Sequence, residues 1–270
     1  MSLAKINALI EHGEKVAMLT CYDATFAKLS EAAGVDMLLV GDSLGMVLKG
    51  AENTLNVSIE DMEYHTKSVK AGTTACPIMS DMPAGSYEHN KETALVNAKK
   101  LIAAGADIVK IAGGGEIVNT AKHLIAHNIP VCAHLGFTPQ SVNKLGGYRI
   151  QGKTDESAQN ILQDAIAMDK VGVHFLVLEM VPGLLAKTIT ESINAPTIGI
   201  GAGVDCDGQV LVIQDLLGIY TGTASKKPED FKSPRFAKNF LAENNSIQSA
   251  VQAYVEAVKN KIFPGEEHSY

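Results

Sequence analysis

The chain of 270 residues has the length of one large α/β domain, and its 46% hydrophobic residues are enough to form a large core. Its formal net charge is −7, and its lysines and arginines are scattered, which argues against a nucleic-acid-binding protein. No apolar run approaches the roughly 18 residues that a membrane span requires, so we expect no membrane partner.

The four cysteines and the N-terminal residues favour a protein of a reducing compartment such as the cytoplasm. The four cysteines lie far apart and at least two lie inside apolar runs, which argues against a disulfide framework or a zinc site. The first 15 residues have mixed charge and lack the apolar core of a secretory signal. No proline-rich linker divides the chain. We therefore expect one soluble, cytoplasmic domain over residues 1–270.

Predicted helices and strands alternate along the chain. A short amphipathic helix at 3–12 precedes the first strand, and glycines such as Gly34 and Gly105 end helices just before later strands. Strands are predicted at 16–20, 35–40, 76–82, 106–112, 131–135, 175–178, 196–199 and within the apolar run 210–217. Helices are predicted at 24–33, 58–70, 92–104, 117–127 and 154–171, and after Pro182.

Eight strands that alternate with helices predict a parallel (βα)8 barrel, the TIM barrel, with a doubly wound open sheet as the alternative. Three junctions of helix end, glycine and buried strand, at 32–40, 103–111 and 170–178, resemble one another and favour the barrel. Residues 222–235 are polar and predict an exposed loop. An extra C-terminal helix at 246–261 carries an apolar stripe, which must cover its own barrel or a neighbour's.

Polar residues lie late in five of the apolar runs. Ligands and catalytic groups collect at the carboxyl ends of the strands in parallel α/β folds. We therefore expect these five side chains to share one pocket. They are Asp42, Asp81, Lys110, His134 and Glu179.

Asp42 and Asp81 are candidate metal ligands. They are hard oxygen donors at adjacent strand ends, with no cysteine or paired histidine nearby, and this chemistry selects Mg²⁺. An α-keto acid would chelate such an ion through its carboxylate and ketone oxygens, and the metal would stabilise the enolate left by proton loss. Alternatively, each aspartate caps the helix that follows its strand.

The other three residues have two interpretations each. Glu179 has apolar neighbours that should raise its pKa, as suits a general base, or it forms a structural ion pair with Lys110. Lys110 binds a substrate carboxylate or forms a Schiff base, and we favour the first. His134 donates a hydrogen bond to substrate or contacts only the backbone.

Six segments together resemble the ketopantoate hydroxymethyltransferase (3-methyl-2-oxobutanoate hydroxymethyltransferase) family. The resemblance runs in order from about residue 15 to the C-terminus, and its motifs are long enough to be specific. The segments are VGDSLGM (40–46), HLGFTPQSVNKLGGYRIQG (134–152), LVLEMVP (176–182), IGIGAG (198–203), RFAKNFL (235–241) and FPGEEHS (263–269).

This resemblance implies a barrel of the phosphoenolpyruvate/pyruvate type, bound Mg²⁺ and one-carbon transfer from 5,10-methylenetetrahydrofolate to 3-methyl-2-oxobutanoate. It also implies a homo-oligomer, with a decamer as the expected assembly. The family's metal- and substrate-binding Asp-Ser pair matches Asp42 and Ser43, and its second metal aspartate matches Asp81. Its substrate-binding lysine matches Lys110, and its proton acceptor matches Glu179.

The sequence departs from the family pattern at the fourth strand. The family has a metal-binding glutamate two residues after its lysine, whereas this chain reads KIAGGGE and has Ala112 there. The nearest carboxylate in sequence is Glu116. Two other functions therefore stay open: a metal-dependent keto acid lyase or aldolase on the same barrel, and a non-catalytic relative that binds keto acids. Loop 222–235 also looks longer than in relatives, which affects the expected folate entrance.

Overall fold

Eight parallel strands close into a barrel in this computed structural model, which describes residues 3–143, 145–223 and 227–270. Each strand pairs with its neighbours in chain order, and the last pairs with the first. The TIM-barrel prediction is thus confirmed and the open sheet excluded. The strands are β1 Val16–Thr20, β2 Met37–Val40, β3 Ile78–Asp81, β4 Ile108–Ala112, β5 Val131–Gly136, β6 Phe175–Glu179, β7 Thr197–Ile200 and β8 Gly208–Leu211.

Helices connect the strands and cover the outside of the barrel. The capping box predicted from Ser58 and Asp61 is present, with Asp61 N donating to Ser58 Oγ at 3.1 Å and Ser58 N donating to Asp61 Oδ2 at 2.9 Å. The helices are α1 Leu3–Glu11, α2 Ala24–Ala32, α3 Leu44–Val47, α4 Ile59–Gly72, α5 Lys91–Ala103, α6 Ile117–Ala126, α7 Asp155–Lys170, α8 Gly183–Ser192, α9 Ile213–Leu216 and α10 Ile247–Lys259.

The β1–β8 pair closes the barrel through a tight contact at Gly208. Val16 is opposite Gly208 in the register, and a Cβ at this glycine would lie 2.6 Å from the Val16 carbonyl oxygen. No other residue type fits there without moving the strand.

The prediction for the apolar run 210–217 is partly wrong. The strand begins earlier, at Gly208, and ends at Leu211, and the rest of the run forms the short helix α9. The Thr20 hydroxyl accepts a hydrogen bond from Ile213 N at 3.0 Å, which ties the start of this helix to the end of β1. Periodicity alone does not separate a buried strand from a buried helical turn in such a short run.

The C-terminal helix α10 covers its own barrel. Ala250, Val251 and Tyr254 on its apolar stripe are fully buried. The Tyr254 hydroxyl lies 2.8 Å from the Met18 carbonyl oxygen on β1 and 2.9 Å from the Gln209 carbonyl oxygen on β8. The stripe therefore packs beside the strand pair that closes the barrel.

Two further predictions concern the outside of the protein. In the predicted loop 222–235, Lys232 is exposed and Phe231 is partly buried, while residues 224–226 lie outside the described residues.

Among the helices of the described ranges, none has both the length and the apolar character that crossing a membrane would demand.

Candidate active site

The barrel brings the predicted strand-end residues together in one cavity. It has a volume of about 620 Å³, which is typical of a small-molecule site. Ser43, which follows Asp42 directly, also lines it. The expectation of a shared pocket is met because β2 to β6 are consecutive strands, so that their carboxyl ends form one continuous arc. The five strand-end residues in its lining are Asp42, Asp81, Lys110, His134 and Glu179.

The two aspartates lie side by side and are buried. Asp81 Oδ2 accepts a hydrogen bond from Asp42 N at 3.0 Å, and Asp81 Oδ1 lies 2.7 Å from Lys110 Nζ. Asp42 Oδ2 accepts from Gln140 Nε2 at 2.8 Å. Within the described residues, neither carboxylate accepts a hydrogen bond from the first turn of a following helix. Helix capping therefore does not explain them.

Three acidic side chains share one neighbouring ammonium group. Burial, together with the charge of Asp81, raises the pKa of Asp42 to about 7. Burial also raises the pKa of Glu179 to about 8, despite the attraction of Lys110. Burial alone would lower the pKa of Lys110, but Asp81 and Asp42 outweigh that effect and raise it. The lysine therefore stays charged, and its nearest carboxylate is that of Asp81, not of Glu179.

His134 connects Lys110 to Glu179 as a neutral imidazole. Burial and the adjacent Lys110 charge hold its pKa well below the ordinary value. His134 Nδ1 lies 3.4 Å from Lys110 Nζ, which makes this nitrogen the acceptor and leaves the proton on Nε2. His134 Nε2 lies 3.2 Å from Glu179 Oε2, a close contact that does not have the geometry of a regular hydrogen bond. The histidine therefore contacts the two side chains expected to handle substrate.

Glu179 is held by its backbone at the end of β6. Its carbonyl oxygen accepts from Phe137 N at 2.8 Å, and a Cβ on Gly136 would lie only 2.3 Å from that oxygen. The next residue, Met180, has φ of +49°, a left-handed conformation that is rare for residues other than glycine. Such strained positions cluster at functional sites. Met180 N still donates to the Ile200 carbonyl oxygen on β7 at 2.9 Å, so this left-handed residue lies directly beside the carboxylate at the cavity.

Three polar residues of the site were missed at the sequence level. The Tyr22 hydroxyl lies 2.9 Å from Ser43 Oγ. The Tyr87 hydroxyl donates to Gln140 Oε1 at 2.6 Å, which turns the Gln140 amide N–H towards Asp42. Tyr22 follows β1 and Gln140 follows β5. A search for polar residues just after the carboxyl ends of the strands would therefore have found both of them. Tyr87 lies in the long β3–α5 connection and carries no such signal.

Comparison with known proteins gives the family. The sequence profile of ketopantoate hydroxymethyltransferase matches residues 1–266. The chain belongs to the ketopantoate hydroxymethyltransferase family. This confirms the resemblance seen in the motifs and places the chain among the transferase enzymes.

Relatives of similar length agree with this membership. The 3-methyl-2-oxobutanoate hydroxymethyltransferase of Thiobacillus denitrificans is 52% identical over 270 residues, which cover 100% of this chain and 99% of the relative. The protein of the same name from Methylobacillus flagellatus is 51% identical, with 100% of both chains covered.

Solved structures with a similar fold are distant in sequence. A phosphoenolpyruvate phosphomutase from Streptomyces platensis subsp. rosaceus has a TM-score of 0.61 at 14% identity, covering 80% of this chain and 82% of that one. A 2,3-dimethylmalate lyase of the PEP mutase/isocitrate lyase superfamily has a TM-score of 0.57 at 13% identity, covering 77% and 80%. At such identity these structures show the fold, a (βα)8 barrel, and nothing beyond it.

Ala112, where the resemblance led us to expect a glutamate, lies at the cavity wall, and Glu116 does not supply a carboxylate there. Glu116 is exposed at the start of α6 and does not line the cavity. Across residues 3–143, 145–223 and 227–270, no three His, Cys, Asp or Glu side chains are grouped to hold a metal ion.

The remaining donors still fit a hard divalent cation. Mg²⁺ needs only one or two protein carboxylates, because water and substrate oxygens complete its octahedral shell. Asp42 and Asp81 are adjacent, and the three acids near Lys110 leave an excess of negative charge when they ionise. A two-carboxylate site is therefore consistent with the chemistry of this cavity.

The raised pKa of Glu179 predicts how the stability of the metal-free protein depends on pH. Between its ordinary value of 4.5 and about 8, the folded protein keeps a proton that the unfolded chain has released, so stability falls as the pH rises. Glu179→Gln removes this contribution, so the loss of stability between pH 4.5 and 8 should shrink by on the order of 5 kcal/mol, at about 1.4 kcal/mol per pKa unit.

Urea unfolding with a chelator present, at pH 5, 6, 7 and 8.5, measures this slope. Glu11→Gln, the same substitution at an exposed position of α1, is the control and should follow the wild type. Equal slopes for Glu179→Gln and wild type would contradict the assignment of a buried, protonated Glu179.

Proposed function

We propose that this protein transfers a hydroxymethyl group from 5,10-methylenetetrahydrofolate to 3-methyl-2-oxobutanoate, giving 2-dehydropantoate (ketopantoate), as a step of pantothenate biosynthesis. Family membership and the names of the relatives support this proposal. The observation that carries it within the structure is Glu179, a carboxylate of raised pKa that shares a cavity with Lys110 and two metal-ligand candidates. We also expect a homo-oligomer in the cytoplasm.

The polar arc of the cavity would bind the keto acid. The Lys110 ammonium and the Ser43 hydroxyl can hold the substrate carboxylate, and Tyr22 fixes the Ser43 hydroxyl at 2.9 Å. Asp42 and Asp81 would hold Mg²⁺, and Gln140 and Lys110 orient these carboxylates. When bound, the ion would stabilise negative charge on the keto oxygen and favour the ionised forms of nearby carboxylates.

Glu179 is the proposed general base. It takes the proton from C3 of 3-methyl-2-oxobutanoate, and the carbon nucleophile that results attacks the methylene carbon of the folate. This attack breaks one C–N bond of the methylene bridge, and the released nitrogen takes the proton from Glu179. Water then replaces the second nitrogen, giving its hydroxyl group to the carbon and its proton to that nitrogen, and tetrahydrofolate leaves. His134 contacts both Glu179 and Lys110, so it would hold the base at a fixed distance from the cation that binds the substrate carboxylate.

Loss of the base should lower turnover strongly. Glu179→Gln keeps the shape of the side chain but cannot accept the proton, so kcat should fall by about 10²- to 10⁴-fold. The assay measures ketopantoate formed from 3-methyl-2-oxobutanoate and methylenetetrahydrofolate at saturating Mg²⁺, with Glu11→Gln as the control. Near-normal turnover by Glu179→Gln would refute its role. Folate-independent cleavage of a keto acid by the wild type would favour the lyase or aldolase alternative.

The Ala112 position should determine metal affinity. Ala112→Glu restores the family's carboxylate and should tighten Mg²⁺ binding by about 10- to 100-fold, the usual effect of a supporting group at a metal site. Isothermal titration calorimetry with MgCl₂ measures this directly, without turnover. Ala112→Gln, of equal size but neutral, is the matched control and should not tighten binding. If both variants bind Mg²⁺ equally, the cavity wall at residue 112 does not face the metal.

A further inference from the structure

Asp215 is an acid of the cavity that the proposed chemistry does not use. It lies on α9, directly after β8, in the arc formed by β7, β8 and β1. The groups assigned to the keto acid and the metal come instead from the arc between β2 and β6. Apolar side chains such as Leu211, Val212 and Ile200 surround this second arc of the cavity.

The Asp215 carboxylate has no partner within the described parts of the chain. Its oxygens take part in no hydrogen bond or ion pair there, although the residue is partly buried. Burial raises its pKa to about 6, and no nearby cation offsets this. A partly buried carboxylate without a partner lowers the stability of the protein. A ligand that supplies hydrogen-bond donors would remove this cost.

The first substrate cannot be that ligand. The 3-methyl-2-oxobutanoate anion has no N–H or O–H donor, and its negative charge would be repelled by Asp215. The one-carbon donor differs, because its fused pyrimidine ring carries a ring N–H beside an amino group. These two parallel donors match the two oxygens of a carboxylate, as the guanidinium fork of arginine does.

Aromatic side chains next to Asp215 suit a flat ring. Tyr220 follows α9 and packs edge-to-face against Phe231, with ring centroids 5.2 Å apart, and both line the cavity. The charge of Asp215 also acts on the Tyr220 hydroxyl, which places the two side chains close together. Lys232 lies exposed at the cavity rim, where it can meet the anionic tail of the donor.

We propose that Asp215 binds the fused pyrimidine ring of the one-carbon donor by accepting hydrogen bonds from its ring N–H and adjacent amino group, while the Tyr220–Phe231 pair packs against one side of the ring. This inference rests on the proposed function, because it assigns the site of its second substrate. It makes Asp215 a binding residue for the ring of the donor, with no part in the proton transfer.

The first test separates donor binding from the chemistry at C3. Asp215→Asn replaces one acceptor oxygen with a donor, so the KM for methylenetetrahydrofolate should rise by about 10- to 100-fold, as expected for a lost charge-assisted pair. The KM for the keto acid and the kcat should stay within about threefold. Asp230→Asn, the same change at an exposed residue of the following loop, is the control. A lower kcat with unchanged KM for the folate would overturn the proposal.

A partial reaction distinguishes failure of this inference from failure of the proposed function. Proton removal by Glu179 should exchange the C3 hydrogen of 3-methyl-2-oxobutanoate for deuterium in D₂O without folate, and NMR measures this rate. Asp215→Asn should exchange as fast as the wild type, which also shows that the variant is folded. If the wild type exchanges the C3 hydrogen and Asp215→Asn binds the folate normally, the inference about Asp215 is wrong but the proposed function stands. If the wild type neither exchanges nor turns over, the proposed function fails.

A ligand change tests the hydrogen bonds themselves. Calorimetry compares tetrahydrofolate with its 2-desamino-2-methyl analogue, which has a methyl group in place of the amino donor. Wild type should bind tetrahydrofolate at least about tenfold more tightly than the analogue. Asp215→Asn should lose most of this preference. Equal preference in both proteins would place the amino group elsewhere and contradict the proposal.

Discussion

The ion pair between Lys110 and Asp81 is the interaction on which the site depends. Its 2.7 Å contact joins β3 to β4 at their carboxyl ends and puts one ammonium beside two neighbouring acids, Asp42 and Glu179. Because one cation cannot balance three buried carboxylates, burial raises the pKa of two of them. A further positive charge would offset this excess of acids, and the proposed magnesium ion could be held by two carboxylates with water.

The barrel divides its cavity between two kinds of chemistry. Strands β2 to β6 supply the charged and polar groups, including His134, which contacts both the cation and the proposed base. The opposite arc is apolar and aromatic, and Asp215 is its unpartnered acid within the described residues. This arrangement would suit the two proposed substrates, a small anion and a larger flat ring, bound next to each other. The reacting carbons would then meet between the arcs.

The strand-end residues could be predicted from the sequence because the information is local. A glycine, a buried run and a late polar residue recur at Asp42, Lys110 and Glu179, and closure of the barrel brings them together. Tyr87 could not be predicted in this way. It lies in the long connection between β3 and α5, and no local sequence pattern indicates that this connection folds back to the site. Asp215 was missed for another reason. It lies inside an apolar run interpreted as strand, and its exposure to the cavity follows only from the turn at α9.

Proton release on magnesium binding is the most direct test of this account. Calorimetric titration of the wild type with MgCl₂ at pH 7, in two buffers of different ionisation enthalpy, counts the protons displaced. Because a ligand carboxylate must ionise, and the pKa of Asp42 is about 7, binding should release about half a proton from this residue and more when Glu179 also ionises. Affinity should rise with pH between 6 and 8. Binding without proton release, or no binding at millimolar Mg²⁺, would contradict the claim that a divalent cation completes this cluster of buried acids.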